Sequence, residues 1–239
     1  MSQPIVIEKC KSRFKELAQA AIPGGGNLDL CLTCSSCVNG CPASGISDMD
    51  PRKFLRMVLL GLDEEVLQTP WIWWCSMCQR CKRACPMGVD IGALVFMARQ
   101  QWSRENTPKG IQRSCDLHLE FGNSTGIRRE DWVSLCAELV EETRQQEEDW
   151  KDLPAPMDKK GAAYYLNQNA KEPTVEPDEM IPLWKILHEV GIDWTYSSEQ
   201  WDAVNYCMFS GDDRDWEAVV RRQSEIVNDL GCKTLINTE

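Results

Sequence analysis

The sequence predicts a mainly α-helical protein, in which a helical domain built around two cysteine runs precedes a small, partial α/β domain. Apolar residues recur at helical spacing before, between and after the cysteine runs. Beyond residue 160, short apolar segments alternate with helical ones, a pattern typical of a parallel α/β unit. We predict four segments: an N-terminal helix with a glycine-rich hinge (1–28), a helical domain (29–110), a helical segment with a linker (111–160) and the partial α/β domain (161–239).

The first helix is predicted from Ile5 to Ile22, where apolar residues recur at helical spacing. Pro23 and the three glycines after it end this helix, and we predict a hinge there. A phosphate-binding loop would need a preceding strand, and none is predicted at this place.

Two aspartates are predicted to begin the helices next to the cysteine runs. Asp50 can cap a helix that starts at Pro51 and stops at Gly61. Asp90 can cap a second helix, whose apolar stripe runs from Ile91 to Trp102. Helices rather than strands are therefore expected to frame both runs.

The later half is predicted to change from helices to alternating elements. The segment after the second run closes at Pro108 and Gly110, and a further helix spans about Glu130 to Trp150, with Cys136 on its apolar face. The α/β domain is predicted to contain strand Ala162–Leu166, helix Asp178–Val190, strand Ile192–Tyr196, a short helix capped by Ser197 and Gln200, helix Trp216–Leu230 and strand Cys232–Asn237.

Charge and hydropathy narrow the possible partners. The chain of 239 residues has a formal net charge of -11. Residues 1–110 carry 13 Lys and Arg against 10 Asp and Glu, and residues 111–239 carry 13 against 27. Such a balance argues against a nucleic-acid partner, which clustered basic residues would bind. No signal-peptide core and no apolar stretch of membrane-spanning length is found, so a cytoplasmic location is expected.

Eight of the 13 cysteines form two runs with the same spacing, in which two, two and three residues separate successive cysteines and a proline follows the last. The first run is Cys31, Cys34, Cys37 and Cys41, and the second is Cys75, Cys78, Cys81 and Cys85. In ferredoxins with this spacing, three cysteines of a run bind one [4Fe–4S] cluster and the fourth binds the other cluster. The predicted ligand sets are therefore Cys31, Cys34, Cys37 and Cys85 for cluster 1, and Cys75, Cys78, Cys81 and Cys41 for cluster 2.

An α-helical ferredoxin domain with two [4Fe–4S] clusters is thus the predicted fold of the cysteine-rich part. Zinc is the alternative occupant, although zinc ribbons usually present separated pairs of cysteines rather than runs of four. Structural disulfides are disfavoured by the uneven cysteine count and by a reducing compartment. Trp71, Trp73 and Trp74, just before the second run, are predicted to be core residues, with shielding of a cluster as the alternative.

The remaining cysteines and the histidines carry no predicted catalytic role. Cys10, Cys115, Cys136, Cys207 and Cys232 have no partner at ligand spacing. Cys136 and Cys207 are expected to be buried small hydrophobic residues. His118 and His188 each stand alone in the sequence.

The sequence resembles a known family in the cysteine runs and in three later segments. The two runs, with the segment WIWWCSMCQRCKRACPMGVDI, look like the iron–sulfur module of the C and D subunits of heterodisulfide reductase. The later segments DKKGAAYYLNQNAKEP, SSEQWDAVNYCMFSGDD and GCKTLINTE resemble the related DsrK proteins of sulfur-metabolising prokaryotes. The resemblance implies an electron-transfer subunit that works with other redox subunits, including a membrane subunit linked to quinone or cytochrome, and the eight cysteines would be its relay.

The resemblance also implies an alternative, a catalytic subunit that reduces or oxidises a disulfide or trisulfide at a third cluster. That cluster would need further cysteines, including a Cys-Gly-His segment after the strand that corresponds to Leu235–Thr238. This sequence stops at Glu239, before such a segment. A fragment, a naturally short relay subunit and a reading frame interrupted at a selenocysteine codon are the three expectations left open.

Overall fold

The computed structural model describes residues 13–238. These residues form two compact units, which meet between Pro108 and Lys109 in the sequence. Residues 5–12, which the sequence assigns to the N-terminal helix, lie outside the described residues. None of the helices within 13–238 combines the length and the apolar character needed to cross a membrane.

The described part of the first unit is built from α-helices joined by 3₁₀ turns and irregular segments. Its helices are α1 (Arg13–Ala21), α2 (Ser36–Asn39), α3 (Pro51–Leu59), α4 (Asp63–Gln68), α5 (Arg80–Ala84) and α6 (Ile91–Gln100). No strand is found among residues 13–108, so the prediction that helices frame both cysteine runs is confirmed.

The two helix caps predicted in the first unit are confirmed. The Asp50 carboxylate accepts a hydrogen bond from the backbone amide of Lys53 at 2.8 Å, and Pro51 is the first residue of α3. The Asp90 carboxylate likewise accepts from the amide of Ala93 at 3.0 Å, at the start of α6. Each cap satisfies one of the amide groups that a helix leaves unpaired in its first turn.

The glycine segment after α1 is a tight left-handed turn. Gly24, Gly25 and Gly26 have φ between 63° and 65°, a conformation that glycine adopts without steric cost. Gly26 accepts a hydrogen bond through its carbonyl oxygen from the amide of Asp90 (3.1 Å), and the Asn27 side chain donates to the carbonyl of Met87 (3.0 Å). The turn is thereby fastened to the segment that precedes α6.

The core of the first unit lies between α3, the turn at 70–73 and α6. Phe54 and Val58 of α3 and Leu94 of α6 are fully buried in it. Trp71 is also buried, and its indole nitrogen donates to the carbonyl of Ala43 at 2.8 Å. Trp71 is therefore a core residue as predicted. The prediction is wrong for Trp74, because 59% of that residue is exposed.

The second unit is an α/β unit with a three-stranded parallel sheet. Its strands are β1 (Tyr164–Asn167), β2 (Trp194–Thr195) and β3 (Thr234–Asn237), in the order β2-β1-β3. Its helices are α7 (Lys109–Phe121), α8 (Arg129–Gln146), α9 (Lys171–Val175), α10 (Met180–Glu189), α11 (Tyr206–Ser210) and α12 (Asp213–Leu230). The predicted parallel α/β arrangement is confirmed.

Aromatic side chains fill the core between the sheet and α8. The Trp132 ring stacks on Trp201 with centroids 4.4 Å apart, and it meets Tyr196 edge-on at 5.1 Å. Trp184 donates through its indole nitrogen to the Tyr196 hydroxyl at 3.0 Å. Buried Trp and Tyr side chains need such partners for their polar atoms. Cys136 of α8 is buried as predicted.

Two local predictions in the second unit are wrong. The helix predicted to reach Trp150 ends at Gln146, and a 3₁₀ turn follows it. The Ser197 hydroxyl accepts from the amides of Glu199 and Gln200, but these bonds close a turn, and the next helix is capped by Asn205 instead. Helix α7 lies almost wholly within the segment 111–160 that is predicted to be helical, but its start was not predicted, because Pro108 suggests a stop in the sequence and yet directly precedes the helix.

Candidate iron–sulfur centres

The first cysteine run and the last cysteine of the second run line one cavity. Its volume is about 360 Å³, part of which is open to solvent. The cysteines around it are Cys31, Cys34, Cys37 and Cys85. Apolar side chains of Leu55, Val89 and Ile91 line it as well. Four thiols thus surround one space with an apolar lining.

The second cavity is lined by three cysteines of the second run and the last cysteine of the first run. Its volume is about 380 Å³, and its cysteines are Cys41, Cys75, Cys78 and Cys81. Trp71 and Pro51 contribute apolar surface, and Ile91 lines this cavity as well as the first. Helix α2, which precedes Cys41, packs against α5, which precedes Cys85. That packing carries the last cysteine of each run toward the cavity of the other run.

The backbone of the two runs repeats the same unusual conformation. Thr33 and Met77 occupy equivalent positions and have φ of 57° and 52°. Ser35 and Gln79, two residues later, have φ of 68° and 63°. A left-handed conformation costs a non-glycine residue roughly 1–2 kcal/mol, and such strain concentrates at functional sites. The strained turns wrap each run around its cavity. They carry no signal in the residue types, so sequence reasoning missed them.

The cysteines of each cavity differ in their surroundings. Burial raises the pKa of the Cys37 thiol to about 11 and that of Cys81 to about 12. By contrast, hydrogen bonding to the Ser36 hydroxyl lowers the pKa of the exposed Cys34. A backbone hydrogen bond from Arg80 lowers the pKa of the exposed Cys78. Buried thiols of this kind give up their protons when a metal supplies positive charge.

Arg99 of α6 is a buried cation beside the second cavity. Only 1% of it is exposed. Its guanidinium donates to the carbonyl oxygens of Ile72 (2.6 and 3.1 Å) and Cys75, and it lies 5.1 Å from the centre of the Trp73 ring. Burial lowers the pKa of Arg99 to about 10, so it stays charged at neutral pH. Its place on the apolar stripe, four residues after Val95, is the sequence signal that could have revealed it.

Within residues 13–238, no three His, Cys, Asp or Glu side chains converge on a single ion position. The four thiolates of a [4Fe–4S] cluster bind four different irons and need no such convergence, whereas the ligands of one zinc ion do. The thiol donors and the apolar lining of the two spaces fit a cluster.

Among residues 13–238, the cysteines outside the two runs all lie in the second unit. Cys115 of α7 and Cys207 of α11 are joined by a disulfide, with their Cα atoms 4.8 Å apart. The expectation that structural disulfides are disfavoured is therefore wrong for these two residues. They are separated by 92 residues in the sequence, and only the packing of α7 against α11 brings them together. His118 is buried, with its Nδ1 atom 4.0 Å from a carboxylate oxygen of Asp202.

Comparison with known proteins identifies the class of domain. Residues 30–90 match the family described as the 4Fe-4S dicluster domain. These residues contain both cysteine runs.

The chain is similar to the C subunits of heterodisulfide reductases. It is 33% identical over 88 residues to the C subunit of the H₂:CoB–CoM heterodisulfide, ferredoxin reductase of Methanothermobacter marburgensis, a match that covers 37% of this chain and 46% of that protein. It is 31% identical over 99 residues to the C 2 iron–sulfur subunit of the CoB–CoM heterodisulfide reductase of Methanocaldococcus jannaschii, covering 41% of this chain and 53% of that one.

A third relative gives a longer match. Identity to the C subunit of the ferredoxin:CoB–CoM heterodisulfide reductase of Methanosarcina acetivorans is 33% over 129 residues, 52% of this chain and 50% of that protein. The chain thus spans about half the length of these three relatives. The resemblance to iron–sulfur proteins of the heterodisulfide reductase type, predicted from the cysteine runs, is confirmed.

Proposed function

We propose that the chain is an electron-transfer subunit with one [4Fe–4S] cluster in each cavity. Cys31, Cys34, Cys37 and Cys85 are the ligands of cluster 1, and Cys75, Cys78, Cys81 and Cys41 are the ligands of cluster 2. The observation that carries the proposal is that each cavity is lined by three cysteines of one run and the last cysteine of the other. A crossed set of this kind is the arrangement of two-cluster ferredoxins.

The bound clusters would supply one-electron redox chemistry. The chain holds and insulates them. Ile91 lines both cavities and lies between the two sites. Cys34 and Cys78 are the exposed ligands, so each cluster has one edge at which an electron can be exchanged with a partner. The chain's apolar lining residues exclude water from the opposite side, which helps to set the potential.

The setting that we propose is a heterodisulfide-reductase-like complex of anaerobic sulfur or energy metabolism. The relatives are named as subunits of heterodisulfide reductases, which supports other redox subunits as partners. By the DsrK resemblance we include a membrane subunit linked to quinone or cytochrome among them. The chain itself would then work on the cytoplasmic side of the membrane.

The test is a metal analysis with electron paramagnetic resonance (EPR) on anaerobically purified protein. We expect about eight irons and as many acid-labile sulfides per chain, with interacting signals after reduction. Cys34→Ser should perturb one signal and Cys78→Ser the other. Cys136→Ser, which changes a buried cysteine of the second unit, serves as the matched control and should leave both signals intact. Zinc without sulfide would overturn the proposal and leave a structural metal module.

A further inference from the structure

Arg99 places a positive charge next to one of the two candidate centres. Its guanidinium donates to the carbonyl of Cys75, a ligand in the set proposed for cluster 2. Two hydrogen bonds to the Ile72 carbonyl and a cation–π contact with the Trp73 ring hold the group in place. Because Arg99 is only 1% exposed, solvent screens its charge poorly.

Two electrostatic effects oppose each other at this centre. A reduced cluster with its thiolates carries one more negative charge than the oxidised cluster. Burial disfavours the more highly charged state of the cluster and lowers its reduction potential. A fixed cation does the reverse, because it stabilises the added electron. Arg99 therefore offsets the desolvation of the second cavity.

Neither cavity has a buried arginine in its lining, where Arg80 of the second cavity is exposed, and Arg99 reaches the second one through the backbone of Cys75. Arg52 lines the first cavity, but this side chain is only partly buried and donates to the Ser35 hydroxyl at 2.7 Å. A partly solvated cation acts on its surroundings more weakly than a buried one. The surroundings of the two centres thus differ in how strongly they stabilise the negative charge of an added electron.

We propose that Arg99 raises the reduction potential of the cluster held by Cys75, Cys78, Cys81 and Cys41, and that it does so through its charge. This inference rests on the proposed function above. Arg99 is a positioning residue in this role, since it touches a ligand's backbone and leaves the iron to the thiolates. By setting one potential and not the other, it would bias where an electron resides within the pair.

The experiment is a redox titration followed by EPR on wild type, Arg99→Gln, Arg99→Met and Arg99→Lys. The two potentials are assigned with Cys34→Ser and Cys78→Ser. In the Gln and Met variants we expect the equilibrium constant for reduction of cluster 2 to fall at least tenfold. For a one-electron couple this lowers the reduction potential by about 59 mV. The potential of cluster 1 should not move. Arg99→Lys keeps the positive charge, so its equilibrium constant for reduction of cluster 2 should stay within tenfold of the wild-type value.

Arg52→Gln is the matched control and should leave the potential of cluster 2 unchanged. The inference is overturned if a neutral Arg99 variant binds both clusters with an unmoved cluster 2 potential, or if Arg52→Gln lowers that potential as much. Should neither neutral variant assemble, Arg99→Lys decides: an unchanged potential supports the role of charge, and a tenfold fall overturns it. Failure of the proposed function would show earlier, as missing iron and sulfide in the wild type.

Discussion

Thr33 and Met77 occupy equivalent positions in the two cysteine runs, and both have a left-handed backbone, with φ of 57° and 52°. Neither residue type favours this conformation. The match means that the two runs repeat a three-dimensional turn as well as a spacing. A cavity lined by the surrounding cysteines lies at each turn.

Proline at either position should prevent its run from closing around the cavity. The proline ring fixes φ at about -65°, which the observed turns cannot accommodate. We expect Thr33→Pro to lose the signal of cluster 1 and Met77→Pro that of cluster 2, with iron content measured beside the EPR spectrum.

Thr33→Gly is the matched control, because glycine adopts the left-handed conformation without strain. It should keep both clusters and resist heat at least as well as wild type. A Thr33→Pro protein with two normal signals would show that the turn is not needed for cluster binding.

The cap at Asp90 should contribute measurably to stability. Its carboxylate accepts from the amide of Ala93, and it also lies 2.5 Å from the Lys82 ammonium. Asp90→Ala should cost about 1 kcal/mol through the lost cap. Asp90→Asn keeps the cap and loses a partly exposed ion pair of little worth, so its thermal midpoint should lie closer to wild type. Equal losses in the two variants would assign the effect to the ion pair instead.

Acid should destabilise the second unit through His118. Burial lowers the pKa of this imidazole to about 4, below its ordinary value of 6.5. Between about pH 6.5 and pH 4, His118 is therefore protonated in the unfolded chain but not in the folded one. The free energy of unfolding falls as the pH drops through this range. The difference between pH 7 and pH 5 should be about 2 kcal/mol.

His118→Gln should flatten this pH dependence relative to wild type, as measured by thermal unfolding at several pH values. His188→Gln, at the exposed second histidine, is the matched control and should follow wild type. Burial raises the pKa of the neighbouring Asp202, which makes the folded state more stable as the pH falls. This opposite effect is present in both wild type and His118→Gln. Parallel curves for wild type and His118→Gln would contradict the role of His118.

The Cys115–Cys207 disulfide should make the second unit sensitive to reductant. It links residues 92 positions apart, and closing a loop of that length is worth up to about 4.6 kcal/mol in the chain-entropy model. A thiol-free reductant should therefore lower the thermal midpoint of the wild type. In Cys207→Ser the reductant should have no further effect on the second unit, and a non-reduced digest of wild type should yield the linked peptide. A wild type that responds like Cys207→Ser would mean that the two thiols are free in solution.

The features that the sequence predicted correctly are those with local causes. Asp50 and Asp90 cap helices through atoms only three residues away, so their pattern could be recognised in the chain. The cysteine spacing is local in the same sense. Cys115 and Cys207 lie on separate elements that only tertiary packing brings together, and no spacing rule reaches that far.

Other features depend on context that residue types do not encode. Trp71 and Trp74 differ by three positions, yet one is buried and the other is 59% exposed, because the turn at 70–73 points them differently. Ser197 and Gln200 fit the pattern of a helix cap, but their hydrogen bonds close a turn with no helix behind it. Arg99 was missed because a long basic residue on an apolar stripe ordinarily extends its charge to solvent.

The crossed ligand sets are tested most directly by substituting the last cysteine of each run and recording EPR spectra of the reduced protein. If the sets are crossed, Cys85→Ser perturbs the same signal as Cys34→Ser, and Cys41→Ser perturbs the same signal as Cys78→Ser. If instead Cys41→Ser alters the signal that Cys34→Ser alters, each run binds its own metal centre and the account of two crossed clusters is wrong.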